Sequence, residues 1–254
     1  MESKRFIKIS SIITAVMLFL QFGTWIVNDL LWTLLQLSSS FRLPDYLPLQ
    51  VALISASVLS LITRKKDTLT EKVSASSVMA NVFSKMVHIF TIVVTVLWRL
   101  GGVVVDIIKV ITIVRINHSI ENQAATIGEL VSAQASLNNL EGVCDFMIAF
   151  CLLLLLVIAF INTKDRGYAI KAEFAKIATV AIVMIVSFFN TVIFIANSIL
   201  ARTSGPEVLS KMHTAISGVS LIVTLMVTLA LAVVALLLGL ISKKEKESVF
   251  LNSY

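Results

Sequence analysis

Residues 143–162 read VCDFMIAFCLLLLLVIAFIN. After Asp145 no charge interrupts them, and five consecutive leucines, Leu152 to Leu156, fill the middle. A helix of about 20 apolar residues covers a hydrocarbon core of roughly 30 Å. A surface helix of a soluble protein keeps one polar face, and this stretch has none. It decides the fold class: the chain crosses a membrane as helices.

Five further stretches extend the pattern. They are Ile9 to Gln36, Leu47 to Thr63, Met86 to Val114, Ile177 to Ala201 and Thr214 to Ser242. The second is short and follows the turn Pro44-Asp45-Tyr46-Leu47-Pro48. The expected architecture is an all-α integral membrane protein, a bundle of six transmembrane helices over residues 1–242, with residues 243–254 as a short polar cytosolic tail. The start, Met1-Glu2-Ser3-Lys4-Arg5, resembles the basic region of a signal peptide. The apolar run after it is too long for one, so it reads as a retained first span. The loops 64–85 and 117–140 place apolar residues at helical spacing, for example Val78, Val82 and Phe83, or Ile127, Leu130 and Val131. Both read as amphipathic helical segments that extend the neighbouring spans.

Composition agrees. Of 254 residues, 57% are hydrophobic and 14% charged, and the mean hydropathy is +0.95. Soluble domains are about a quarter charged. A soluble globular enzyme, a disordered chain and a nucleic-acid binder are excluded.

The net charge of +6 is explained by topology. Lys4, Arg5, Lys8, Arg64, Lys65, Lys66, Lys72, Lys85, Lys164, Arg166, Lys171, Lys176, Lys243, Lys244 and Lys246 flank the spans on one side. Only Arg42, Arg115, Arg202 and Lys211 flank them on the other. Basic segments stay in the cytosol, so both termini are expected there, facing an anionic leaflet rather than a nucleic acid. The sequon Asn117-His118-Ser119 then falls outside, where Asn117 is a glycosylation candidate. Trp25, Trp32 and Tyr46 fall near the outer interface. Long spans and an outward sequon favour the plasma membrane over an endomembrane.

Ionisable groups inside a span are costly and mark functional candidates. The third stretch holds Arg99, Asp106 and Lys109. Arg99 lies near its middle, and spacings of seven and three put all three on one helical face. Asn190 and Asn197, seven apart, share a face of the fifth stretch. Asp29, Lys109, Asp145 and His213 lie within a turn or two of the outer interface, where side chains can snorkel. The expectation is an outward-facing polar vestibule centred on Arg99, binding a small polar or anionic solute through Arg99, Asp106, Lys109, Asn190 and Asn197. A guanidinium stays charged in low dielectric and suits an anion. The alternative makes Arg99 a structural ion-pair residue in a non-catalytic membrane organiser or adaptor. Gly101-Gly102 beside it would admit a close helix.

No catalytic set assembles. His88, His118 and His213 fall at an inner interface, an outer loop and an outer interface, and no HExxH, nucleophile elbow or phosphate loop occurs. No enzyme activity, metal or cofactor is expected. Cys144 and Cys151 are two helical turns apart, roughly 10 Å, too far for a disulfide. Cys144, near the outer end, is placed to cross-link a second copy. The expected partners are the lipid bilayer, a further copy in a homo-oligomer, and the solute.

Overall fold

The computed structural model describes residues 2–35, 46–67, 75–121, 127–162, 166–203 and 206–251. They form seven helices: α1 (Glu2–Leu35), α2 (Leu47–Asp67), α3 (Ala75–Glu121), α4 (Ile127–Ile161), α5 (Arg166–Ala172), α6 (Phe174–Thr203) and α7 (Pro206–Leu251). The described residues contain no strand. Arg5–Leu30, Val82–Ser119, Asn139–Ile161, Phe174–Ala196 and Thr214–Leu240 are each long and apolar enough to cross a membrane. They make this a membrane-embedded chain. The apolar part of α2, Leu47–Ile62, is shorter than these five.

The loops read as amphipathic segments form no separate helices. Residues 75–85 are the first turns of α3, 117–121 its last, and 127–140 the first turns of α4. Residues 68–74 and 122–126 lie outside the described residues. Likewise α7 runs on through the expected tail to Leu251.

The long helices close a ring. α1 packs on α2, α2 on α3, α3 on α4, α4 on α6, α6 on α7 and α7 back on α1, while α2 and α6 touch across the middle. Neighbours run antiparallel. Ser60 of α2 meets His88 of α3 at one end, and Tyr46 meets Trp98 at the other. The first end carries Lys8, Lys85, Lys171 and Lys176 and is called the basic end below.

Packing is uneven along the axis. One core joins Ala15, Leu18, Leu49, Phe174, Ala178, Ile182, Ala232 and Ala235. The other joins Leu53, Trp98, Ala149, Leu152, Val180 and Val183. Small residues let the backbones approach, as membrane helices require. A Cβ added at Gly239 of α7 would lie 3.0 Å from Ile12 Cγ1 and 3.7 Å from the Lys8 carbonyl of α1. Past Trp98, by contrast, only Val105 of α3 is buried among the described side chains. No described side chain of α4 before Ala149, of α6 after Ser187 or of α7 before Thr224 is buried. The bundle is close-packed in its basic half and open in the other. Large apolar side chains such as Phe90, Leu97, Phe188 and Met226 point outward, as lipid contact requires.

Candidate functional site at the basic end

Glu173 sits in the one-residue break between α5 and α6. The break keeps its backbone bonded: Glu173 N–H donates to the Ala169 carbonyl at 2.9 Å. The Glu173 carbonyl accepts from Lys176 and Ile177 N–H, at 2.9 and 3.1 Å. This opens α6 three residues before the apolar stretch that begins at Ile177. It thereby carries Glu173 and Lys176, one turn apart, into the bundle at 7% and 3% exposure.

The two side chains form an ion pair, with Lys176 Nζ 2.6 Å from Glu173 Oε2. At that separation ammonium and carboxylate are in direct charge-assisted contact. The other carboxylate oxygen, Oε1, lies 3.7 Å from His88 Nε2 of α3. The same Nε2 is 2.8 Å from Ser60 Oγ of α2. One carboxylate thus stands between two basic side chains, each facing a different oxygen. Leu53, Ala56, Ser57, Ala172 and Ala175 complete the walls of a crevice with room for about one water molecule.

The sequence places His88 at an interface and Lys176 beside a span in a basic segment; both are buried here. The reason is tertiary. α2 covers one side of α3 and the α5–α6 break covers the other, so both groups lie under protein. Among the described residues no group of three or more His, Cys, Asp or Glu could hold a metal ion.

The α3 face that carries His88 continues upward. At 3.6 residues per turn, Thr95, Arg99 and Asp106 share that face, with Thr91 beside it. Thr91 and Thr95 are fully buried and return their hydroxyls to their own helix, to the Val87 and Thr91 carbonyls. Arg99 is about three turns above His88, roughly 16.5 Å along the axis.

Arg99 stands just above an aromatic layer. Trp25 and Tyr46 meet edge to face, with centroids 6.5 Å apart. Tyr46 and Trp98 are 5.2 Å apart. Trp98 Nε1 donates to Asp145 Oδ1 of α4 at 2.8 Å. Tyr46 precedes α2, so above this layer α3 loses its α2 neighbour. Arg99 is half-buried and Asp106 exposed. Neither has an ion-pair or hydrogen-bond partner among the described residues. Lys109 pairs with Glu141 of α4. Asn190 is exposed, with its Nδ2 3.7 Å from where a Cβ on Gly142 would sit. Asn197 lies in α6, where its side chain is outside the described set, as is that of His213 in α7. Four of the five expected solute ligands are therefore spread over the open half: Arg99 and Asp106 on one stripe, Lys109 on α4's Glu141, Asn190 near Gly142. Among the described residues no atom lies within 4 Å of a Cβ added at Gly101 or Gly102. Asn117 is exposed near the end of α3. Cys144 is exposed, Cys151 half-buried, and both are free thiols.

The residues missed from sequence are Glu173, Lys176 and His88. One signal was present: Glu173 and Lys176 form an i, i+3 pair of opposite charge set directly against an apolar run, where a solvated loop would have no such pairing. No protein-family model, curated protein or solved structure matches this chain.

Proposed function

We propose that the chain is a six-span membrane transport protein, with α2 as the sixth, short span and both termini in the cytosol. It conducts a small polar or anionic solute along the α2–α3 seam. The outer mouth is the open half around Arg99, Asp106, Lys109, Asn190 and Asn197. The inner gate is the Ser60, His88, Glu173 and Lys176 cluster. The reading is of a carrier or channel rather than an enzyme, working in the plasma membrane.

The observation that carries it is the burial of a carboxylate, an ammonium and an imidazole together at the basic end, on the α3 face that leads to Arg99. Ionisable groups facing a bundle interior mark ion pathways and proton relays. A fold lock needs only one cation per carboxylate; this cluster holds two bases.

The test is flux into proteoliposomes. Radiolabelled chloride, small carboxylates and uncharged polar solutes are offered to the purified chain and to Arg99→Ala and Lys176→Met. Uptake above empty vesicles that falls in both variants supports the reading. Absence of uptake for every class, with protein that remains folded in the vesicles, overturns it. The membrane organiser is the second reading, favoured by a crevice with room for about one water molecule. It gains if flux is absent and the chain is recovered as an oligomer.

A further inference from the structure

We infer that two copies of this chain pair through the outward face of α3, parallel and in register, with the outer end of that face standing clear of the hydrocarbon core. The surface lies on the far side of α3 from the proposed solute path and does not depend on it.

α3 carries an outward stripe. From Phe83, alternate steps of three and four residues lead to Val114, and every position touched is a large apolar residue. All ten are between 46% and 62% exposed. The other face, with His88, Thr91, Thr95 and Trp98, is buried in the bundle. An apolar repeat of seven held over four heptads is the pattern along which helices supercoil. A lipid-facing span in a left-handed bundle shows the same period, so the repeat alone does not choose between lipid and protein. Length chooses.

α7 provides the ruler. Its outward stripe follows the same steps from Val219 to Leu240. It covers about 31 Å, one hydrocarbon thickness. The stripe of α3 covers about 46 Å. A tilt of 40°, the top of the usual range, would still leave about 36 Å. α4 gives the same measure. It runs antiparallel to α3, with Asp145 level with Trp98. Asn139, where its long apolar stretch starts, is therefore level with Val104. Ile107, Ile111 and Val114 stand beyond that level, outside the hydrocarbon core.

That segment is inside out for a lone helix in water. Such a helix turns its charges to solvent and its apolar side to its neighbour. Here Lys109 pairs with α4's Glu141, while Ile107, Ile111 and Val114 face away. Lipid tails do not reach them, and apolar surface in water is a docking surface.

Charge placement and area both fit a second copy. Copies in one membrane share an orientation, so a two-fold axis along the bilayer normal sets α3 parallel to α3 and each seam residue against itself. A charge on the seam would meet its own sign. The charged residues of 83–114 are Lys85, Arg99, Asp106 and Lys109. Counted in sevens from Phe83, they take the third or sixth place, away from the seam. Ten side chains about half exposed offer on the order of 900 Å² per copy, and a stable interface buries about 800 Å² per partner.

Disulfide trapping in native membranes tests the seam. In a chain carrying Cys144→Ser and Cys151→Ser, copper phenanthroline should trap covalent dimers of Ile107→Cys, Ile111→Cys and Val114→Cys. It should leave Thr112→Cys and Ile113→Cys, which lie off the seam, monomeric. Ile111→Lys sets two ammonium groups against each other, and Ile111→Glu two carboxylates. Each should be a folded monomer by circular dichroism and by mass photometry in nanodiscs, where wild type is a dimer. Residue 111 lies outside the core, so neither charge opposes insertion. Co-expressing the two variants should restore the dimer, because a parallel, in-register seam brings the two opposite charges together. Monomeric wild type overturns the inference. So does trapping of equal yield at Thr112→Cys, a dimer that survives Ile111→Lys, or a co-expressed pair that stays monomeric. None of these readouts depends on transport.

Discussion

Trp98 Nε1 donates to Asp145 Oδ1 at 2.8 Å, and this bond ties α3 to α4 at the level where close packing ends. Below it Trp98 is 5% exposed. Above it the helices are held by the Lys109–Glu141 ion pair. Asp145→Ala leaves the indole N–H without its acceptor and should cost about 1–3 kcal/mol. Asp145→Asn retains an oxygen acceptor and should recover most of that. Thermal unfolding in one detergent, compared across the two variants, checks the order; equal losses would mean that only the charge matters there.

Removing one member of the buried pair should be worse than removing both. Lys176→Met leaves Glu173 buried without its ammonium partner, for an expected loss of about 3–5 kcal/mol. Lys176→Met combined with Glu173→Gln leaves no formal charge and should be markedly more stable than Lys176→Met alone. The measurement is a double-mutant cycle on unfolding midpoints. Additive losses would show that the two side chains are not coupled.

Two glycine positions should respond oppositely to the same change. A Cβ at Gly239 would meet Ile12 Cγ1 at 3.0 Å, so Gly239→Val overpacks the α1–α7 contact by about 1–3 kcal/mol. Adding Ile12→Ala should restore part of it. Gly102 has no atom within 4 Å of a built Cβ, and Gly102→Val should change monomer stability by no more than about 0.5 kcal/mol. Cross-linking and mass photometry of Gly102→Val then test for a homo-oligomer. Loss of a dimer without loss of fold would place a second copy in that notch.

Sidedness follows from the basic bias. In a chain lacking Cys144 and Cys151, a single cysteine at Asn117 should react with a membrane-impermeant maleimide on intact cells. Labelling only after permeabilisation would invert the proposed orientation. In a glycosylating host, Asn117→Gln should abolish any endoglycosidase-sensitive mobility shift.

The apolar runs were legible because a span is a local property: 20 residues of the chain state it by themselves. Residues 143–162 and 214–242 are long apolar helices where the sequence places them. Burial of ionisable groups is not local. His88 and Lys176 each border an apolar run, and at such a border a side chain can reach water or be roofed by a neighbouring helix. The α5–α6 break decides for the roof, and nothing in residues 166–176 taken alone states where α2 and α3 will lie. Arg99 shows the reverse case. It lies near the middle of a long apolar run, but that run extends from Val82 to Ser119. The middle of α3 is therefore the end of α2, at the aromatic layer of Trp25, Tyr46 and Trp98. The separation of Arg99 from Asp106 follows from helix geometry, whereas the exposure of Asp106 depends on α2 ending below it.

The closure of the ring by α1 and α7 sets an order on synthesis. Ser10, Ser11, Thr14 and Gln21 of α1 are buried in the finished bundle. The α7 residues that seal this side, Ala232, Ala235 and Gly239, are made more than 200 residues later. At translation rates of about 5–20 residues per second, the polar face of the first helix waits on the order of 10–40 seconds for its last neighbour. Thr14 returns its hydroxyl to the Ser10 carbonyl of its own helix, but lipid offers the Gln21 amide no partner during that interval. A nascent chain halted before residue 232 should accordingly be held by the insertion machinery or an intramembrane chaperone, and the last helix becomes the one whose arrival releases the protein into the bilayer.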